Sequence, residues 1–289
     1  MQIVTFASIE IGSYEVGMKI LELSQKNGMK EIDDIRYGLE LGKDAYNQKE
    51  ISNEMLEELC EVLEDFTRIM KEYQVDDYRA CATSAIRETR NCLLILDKIR
   101  VRTGLEVEIL SNSEHRFLGY KSIAAIETGF KKAIQKGTAI LDVGGGSLQV
   151  SLFDKDALVM TQSIRMGSMR IRERLKELEK ATTHYDQLIL EFIRNDLTAF
   201  QRLYLKDREI KNVILMGDFL TDTILQGHNG EHILTMDEFR TYYEDTLNKT
   251  EQTLADDMGV DLEYASLIVP TMVICKNFLD IFQAEAVWV

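Results

Sequence analysis

Proline is almost missing from this chain: Pro270 is the only one in 289 residues. No Pro-, Gly- or Ser-rich stretch marks a flexible linker, so composition alone announces no domain boundary. Cysteine is also sparse, and Cys60, Cys81, Cys92 and Cys275 lack metal-ligand spacing. They read as reduced core residues of a cytoplasmic protein, not as a metal or disulfide framework. No apolar run approaches the roughly 20 residues of a membrane span. The opening MQIVTFASIEIG has no basic leader and reads as a first strand. Basic residues are in deficit, with 34 Lys and Arg against 49 Asp and Glu and a net charge of −15. Such a charge argues against non-specific binding to nucleic acid or to a membrane surface. A polyanionic ligand then needs a local basic cleft or a bound metal. The rest is ordinary: 45% hydrophobic and 29% charged residues suffice for a full core, in one large domain or two of usual size.

One stretch stands out. Ala139 to Val150 reads AILDVGGGSLQV: an apolar strand ending in Asp142, then Gly144, Gly145 and Gly146, a hydroxyl at Ser147, and a strand again. Glycine can adopt positive φ and has no side chain, so a ligand can sit directly on the backbone amides. Successive exposed N–H groups at such a turn form an anion-binding nest. An acid beside a phosphate usually implies a bridging Mg²⁺. The competing reading is a plain β-hairpin with glycines for geometry alone. Three in a row exceed what a hairpin needs.

The N-terminal SIEIGSYEVGMKILEL is of the same kind. A strand runs to Glu10, then Gly12 and Ser13, then a strand again, and Glu10 and Gly12 recur at one common offset as Asp142 and Gly144. This weak repeat predicts two related α/β subdomains, residues 1–128 and 129–289, whose turns face each other across a cleft. Apolar residues at helical spacing predict a helix over Ile51 to Tyr73. Further helices are expected at Arg87 to Arg102, Ser113 to Thr128, Thr183 to Leu205, and Leu262 to Phe282 around Pro270. A capping box, Thr235 with Glu238, opens another. Strands are expected at Tyr78 to Thr83, Val107 to Leu110, Thr138 to Asp142, Leu148 to Phe153, Leu158 to Ile164, Asn212 to Met216 and Ala284 to Val289.

Five segments then follow in a telling order: IRYGLELG (Ile35 to Gly42), ATSAIRETRN (Ala82 to Asn91), LDVGGGSLQVSLF (Leu141 to Phe153), SIRMGSMRIRERL (Ser163 to Leu175) and LEYASLIVPTMVI (Leu262 to Ile274). Together they resemble the exopolyphosphatase/guanosine-pentaphosphate phosphohydrolase family (Ppx/GppA). Its members read V-R-L-G-E-G-L, A-T-S-A-L-R-E-A-R-N, I-D-I-G-G-G-S-T-E-L, L-G-A-V-R-L-T-E-R and R-A-D-x-I-x-P-G at these places. The resemblance implies an α/β fold of two actin-like (ribonuclease H-like) subdomains with a cleft between them. It implies hydrolysis of terminal phosphoanhydrides of polyphosphate or pppGpp, with Mg²⁺ or Mn²⁺, in a cytoplasmic homodimer. The metal would lie on Glu10 and Asp142. Phosphate would be held by Gly12, Ser13, Arg36, Thr83, Ser84, Arg87, Gly144, Gly145, Gly146, Ser147 and Arg170, arginine being suited to bidentate donation.

The family's catalytic glutamate falls in the segment Ser111-Asn112-Ser113-Glu114-His115-Arg116. Ungapped alignment puts His115 in its place, and a one-residue slip would put Glu114 there. On a helix the two side chains point about 100° apart. Histidine can act as a general base near neutral pH. Other polar positions also depart from the pattern. The family's D-x-G-S-N-S is Glu10-Ile11-Gly12-Ser13-Tyr14-Glu15 here, and its T-E after the glycines is Leu148-Gln149. Glutamine accepts a hydrogen bond but cannot be a base. The later G-A-S-G-T becomes Met216-Gly217-Asp218-Phe219-Leu220-Thr221, and the chain is expected to end at or before the family's last strand. Two functions are therefore expected: an active hydrolase, or a non-catalytic relative that binds polyphosphate or guanosine tetra- or pentaphosphate as a sensor or interaction protein.

Overall fold

A computed structural model of the chain describes residues 3–26, 28–126, 137–206, 208–217 and 233–288. The chain divides into two compact units, Met1–His115 and Arg116–Val289. The boundary expected after residue 128, and Asp218 to Thr221 of the later glycine segment, lie outside the described residues.

The first unit holds three antiparallel strands, Ile3–Ile11 (β1), Glu15–Ser24 (β2) and Gly28–Gly38 (β3), and two parallel additions, Asp77–Ala82 (β4) and Val107–Ile109 (β5). Their order is β3-β2-β1-β4-β5. Along β2, Val16, Met18 and Ile20 are buried while Glu15, Gly17 and Lys19 are not. That two-residue period marks a strand with one face on the core. Short helix α1 (Leu41–Asn47) follows β3, and α2 (Asn53–Glu72) buries Leu56, Leu59, Leu63, Phe66 and Met70 on one face. Ser52 caps α2 by accepting the Met55 amide at 3.3 Å. The helix expected from Arg87 to Arg102 is instead two, α3 (Ser84–Arg87) and α4 (Cys92–Thr103). Asn91 explains the break. Its side chain accepts from the Ile51 amide at 3.2 Å and donates to the Ile51 carbonyl at 2.8 Å, imitating a strand pair. Helix α5 (Asn112–Ile126) starts in this unit and continues in the next.

The second unit repeats the plan. Strands Thr138–Val143 (β6), Leu148–Asp154 (β7) and Ala157–Ile164 (β8) are antiparallel. Asn212–Met216 (β9) adds in parallel beside β6, and Ala286–Trp288 (β11) in parallel beside β9. A short strand, Ile233–Thr235 (β10), extends the edge, giving β10-β11-β9-β6-β7-β8. Both β6 and β7 are buried along almost their whole length, as befits strands covered on both faces.

Helices Ser168–Glu179 (α6), Tyr185–Tyr204 (α7) and Ile268–Phe282 (α11) pack in this unit. Phe200 of α7 meets Phe278 and Phe282 of α11 edge-to-face at centroid distances of 5.4 and 6.1 Å. The expected Thr235–Glu238 capping box opens Met236–Leu247 (α8), followed by Glu251–Met258 (α9) and Leu262–Ala265 (α10). Leu262–Phe282 is apolar enough to span a membrane by length and composition, yet 67% of its apolar 18-residue window is buried inside the protein. It is broken in two between α10 and α11. Pro270 sits in the first turn of α11, where a missing N–H costs no intrahelical bond. All four thiols are free; Cys60, Cys81 and Cys275 are buried and Cys92 half-buried.

Candidate functional site

Each unit presents one hairpin turn at the same place in its sheet. In the first, the pair Ile11/Val16 closes a four-residue loop in which the Gly12 amide donates to the Glu15 carbonyl at 2.9 Å. In the second, Val143/Leu148 closes the same loop and the Gly144 amide donates to the Ser147 carbonyl at 3.1 Å. The repeat read from two acids and two glycines thus reaches the individual hydrogen bond. Glu10 and Asp142 are also equivalent: each is the penultimate residue of the central strand, between its antiparallel and its parallel neighbour. Glu10 is exposed and Asp142 half-buried.

The second turn is held by its carbonyls. Gly144 O accepts from the Ser168 amide at 3.1 Å, Gly145 O from the Arg170 amide at 3.0 Å, and Gly146 O from Arg170 Nε at 2.7 Å. The start of α6 therefore grips one side of the loop. On the other side, the N–H groups of Gly145, Gly146 and Ser147 have no acceptor among the described residues. The Ser168 hydroxyl, fully buried, likewise lacks a partner among them. None of Gly144, Gly145 and Gly146 takes a positive φ, so the left-handed freedom expected of them is not used. Beside the turn, glycine is required at Gly167, where a Cβ would stand 2.3 Å from the Gly145 carbonyl oxygen. Gly217 supports the same hairpin with φ +137; a Cβ there would meet Val143 O at 2.6 Å.

Arg170 is buried and acts on the turn's backbone. Beside the turn, Asp142 and Gln149 face each other across β6 and β7. They line a small crevice with Arg116, Gly119, Ile140, Ser151 and Met216. Gln149 is buried, and its Oε1 accepts from Arg116 Nη1 at 3.3 Å.

In the first unit the hydroxyls of Ser13, Tyr46 and Ser84 form a buried triangle with sides of 2.5, 3.1 and 3.3 Å. Tyr46, on α1, had no signal in the sequence; its role depends on where α1 folds. The Thr83 amide donates to Ile11 O at 3.1 Å and so continues the β1–β4 pairing past the strand end. Gly12 is needed for closeness, since a Cβ would lie 2.9 Å from Glu15 O. Arg87 is half-buried and donates to Leu110 O at 2.5 Å and to Asn112 Oδ1 at 2.6 Å, clamping the junction of β5 and α5. Arg36 bridges Glu15 at 3.2 Å and Asp34 at 3.0 Å.

Glu114 and His115 fare differently. The Ser111 amide donates to Glu114 Oε2 at 2.8 Å, and the Glu114 amide donates to Ser111 Oγ at 3.2 Å. This is a capping box, and its S-x-x-E pattern was legible in the sequence. The bonds from Ser111 hold the Glu114 carboxyl below the usual glutamate range. His115 is half-exposed one residue further along α5. Among the described residues no cluster of three or more Asp, Glu, His or Cys side chains forms a ready-made metal site.

Known proteins share this fold. A solved exopolyphosphatase from Cytophaga hutchinsonii superposes with a TM-score of 0.80 at 17% identity, covering 98% of this chain and 92% of that one. By sequence, a bifunctional 3-dehydroquinate synthase/phosphatase of Fusobacterium nucleatum is 22% identical over 308 residues, covering 96% of this chain and 44% of the relative. Exopolyphosphatase 1 of Mycobacterium tuberculosis is 22% identical over 163 residues, 56% of this chain and 46% of that protein. The chain thus spans less than half the length of these two curated relatives. The Ppx/GppA phosphatase family as a whole matches over residues 20–289. Two sheets of one strand order, each with its glycine turn on the central hairpin, are the actin-like fold of that family, and the chain belongs to it.

Proposed function

We propose that this chain is a divalent-metal-dependent phosphohydrolase that releases the terminal phosphate of polyphosphate or pppGpp. The observation that carries the reading is the set of amides at Gly145, Gly146 and Ser147, left without acceptors while the carbonyls of Gly144, Gly145 and Gly146 are engaged. Such a turn offers a phosphate fixed, pre-aligned donors. Asp142 beside it fits the way Mg²⁺ is commonly held, by one or two carboxylates with phosphate oxygens and water completing the shell. Glu10 is the corresponding carboxylate of the first unit. The metal would neutralise charge on the phosphoryl oxygens. Water attacks the terminal phosphorus, the bridging P–O bond breaks and the shortened chain leaves, with positioning supplying most of the catalysis. The capping role of Glu114 favours His115 as the group that takes the proton from water. Phosphate release from polyphosphate or pppGpp with Mg²⁺ or Mn²⁺ is the test. Release no greater than that of Asp142→Ala would overturn the hydrolase reading.

One observation favours a second reading. The neutral Gln149, bound to Arg116, stands where the family has a glutamate. A binding protein without turnover would show ligand-dependent thermal stabilisation by polyphosphate or pppGpp and no phosphate release.

A further inference from the structure

The two turns differ at their fourth residue. In the second it is Ser147, short and neutral; in the first, in the same hydrogen bond, it is Glu15. The first turn therefore carries an anion of its own. The Glu15 side chain is 21% exposed and its carboxylate lies 3.2 Å from Arg36 Nη1. Arg36 stands opposite Gly17 in the β2–β3 register, with Cγ 4.0 Å from where a Gly17 Cβ would be. The arginine stem thus runs alongside Gly17 toward the turn. The same guanidinium holds Asp34 at 3.0 Å, and Asp34 is shared with Lys19, which also binds Glu31. A row of alternating charge thus runs along β2 and β3, Glu31, Lys19, Asp34, Arg36, Glu15, and its last member sits at the turn. Arg36 already has a carboxylate partner in Asp34, so Glu15 is its second.

We propose that Glu15 is an internal competitor for phosphate at the first turn, occupying the Arg36 donor that a phosphate group would otherwise take. The inference rests on the proposed phosphate site at the second turn and extends it to the first, whose loop closes with the same hydrogen bond. A ligand must displace Glu15 from Arg36, and Glu15 thereby sets the affinity of the first turn for polyanions.

The test is calorimetric titration of the full chain with tripolyphosphate at fixed ionic strength. Glu15→Ser, which copies the residue of the second turn, is expected to tighten binding roughly fivefold, the size of one partly exposed charge pair. Glu15→Gln, which keeps the shape, is expected to match it within about twofold. In an Arg36→Ala background most of that gain is expected to vanish, because the competed donor is gone. No tightening by either Glu15 variant, or an equal gain with and without Arg36, overturns the proposal. Gly145→Val separates the levels. If it abolishes binding that the unaltered chain shows, the turn reading stands and the Glu15 series alone decides. If no folded variant, Glu15→Ser included, binds tripolyphosphate, both fall together.

Discussion

At the scale of single residues, the turn depends on atoms outside it. Gly167 is the clearest case, because its missing Cβ leaves room for the Gly145 carbonyl. Gly167→Ala should cost about 2–3 kcal/mol of stability as backbone is forced apart, read from chemical denaturation. A cost under roughly 0.5 kcal/mol, the range of ordinary surface changes, would show that the loop yields freely. Glu114 supplies a pH effect of defined sign. Its folded pKa lies below the usual value of about 4.3, through hydrogen bonds from Ser111. Its contribution is therefore complete above that value and is lost as pH falls through the lower, folded one. The Ser111 amide should lose hydrogen-exchange protection only in that acid window. Glu114→Gln should flatten the dependence, and protection unchanged by the variant would refute the cap.

At the scale of elements, boundaries are set by side chains that replace backbone partners. The apolar spacing around Leu93 to Arg102 gave no hint that the helix divides at Asn91. The cause is its pair of bonds to Ile51, far away in the chain. Asn91→Ala leaves a half-buried N–H and C=O without this partner and should cost about 1–3 kcal/mol in a urea titration. A loss near zero would mean the Ile51 peptide finds other partners. By contrast, the capping boxes at Ser111–Glu114 and Thr235–Glu238 are local, four-residue signals. Both carry the S/T-x-x-E pattern in the sequence, and at the first it coincides with the segment where the family has its catalytic glutamate.

At the scale of the whole molecule, net charge bears on the proposed binding of polyphosphate. A chain of net charge −15 repels a polyphosphate at long range. Its association rate should rise as salt is added from low ionic strength, where the Debye length falls from about 30 Å at 0.01 M to about 8 Å at 0.15 M. Stopped-flow mixing measures this, and a rate that falls with salt would show that a local basic funnel dominates instead. The repeat of acid and glycine, the alternation of strands and helices and the glycine turn itself were all visible in the sequence. They depend on local propensity and on spacing, which short stretches carry by themselves. Strand β3 and helix α1 carry no clear sequence pattern, because β3 is charged and largely exposed and α1 is short. What each candidate residue does was decided by tertiary structure. Arg170 grips Gly146 from a helix 24 residues on, Arg36 meets Glu15 across two strands, and Glu114 folds back onto its own helix start. A sequence determines which groups a chain possesses. Only packing brings donor and acceptor together, and a side chain already spent on a carbonyl or a carboxylate is a different reagent from one held open for phosphate.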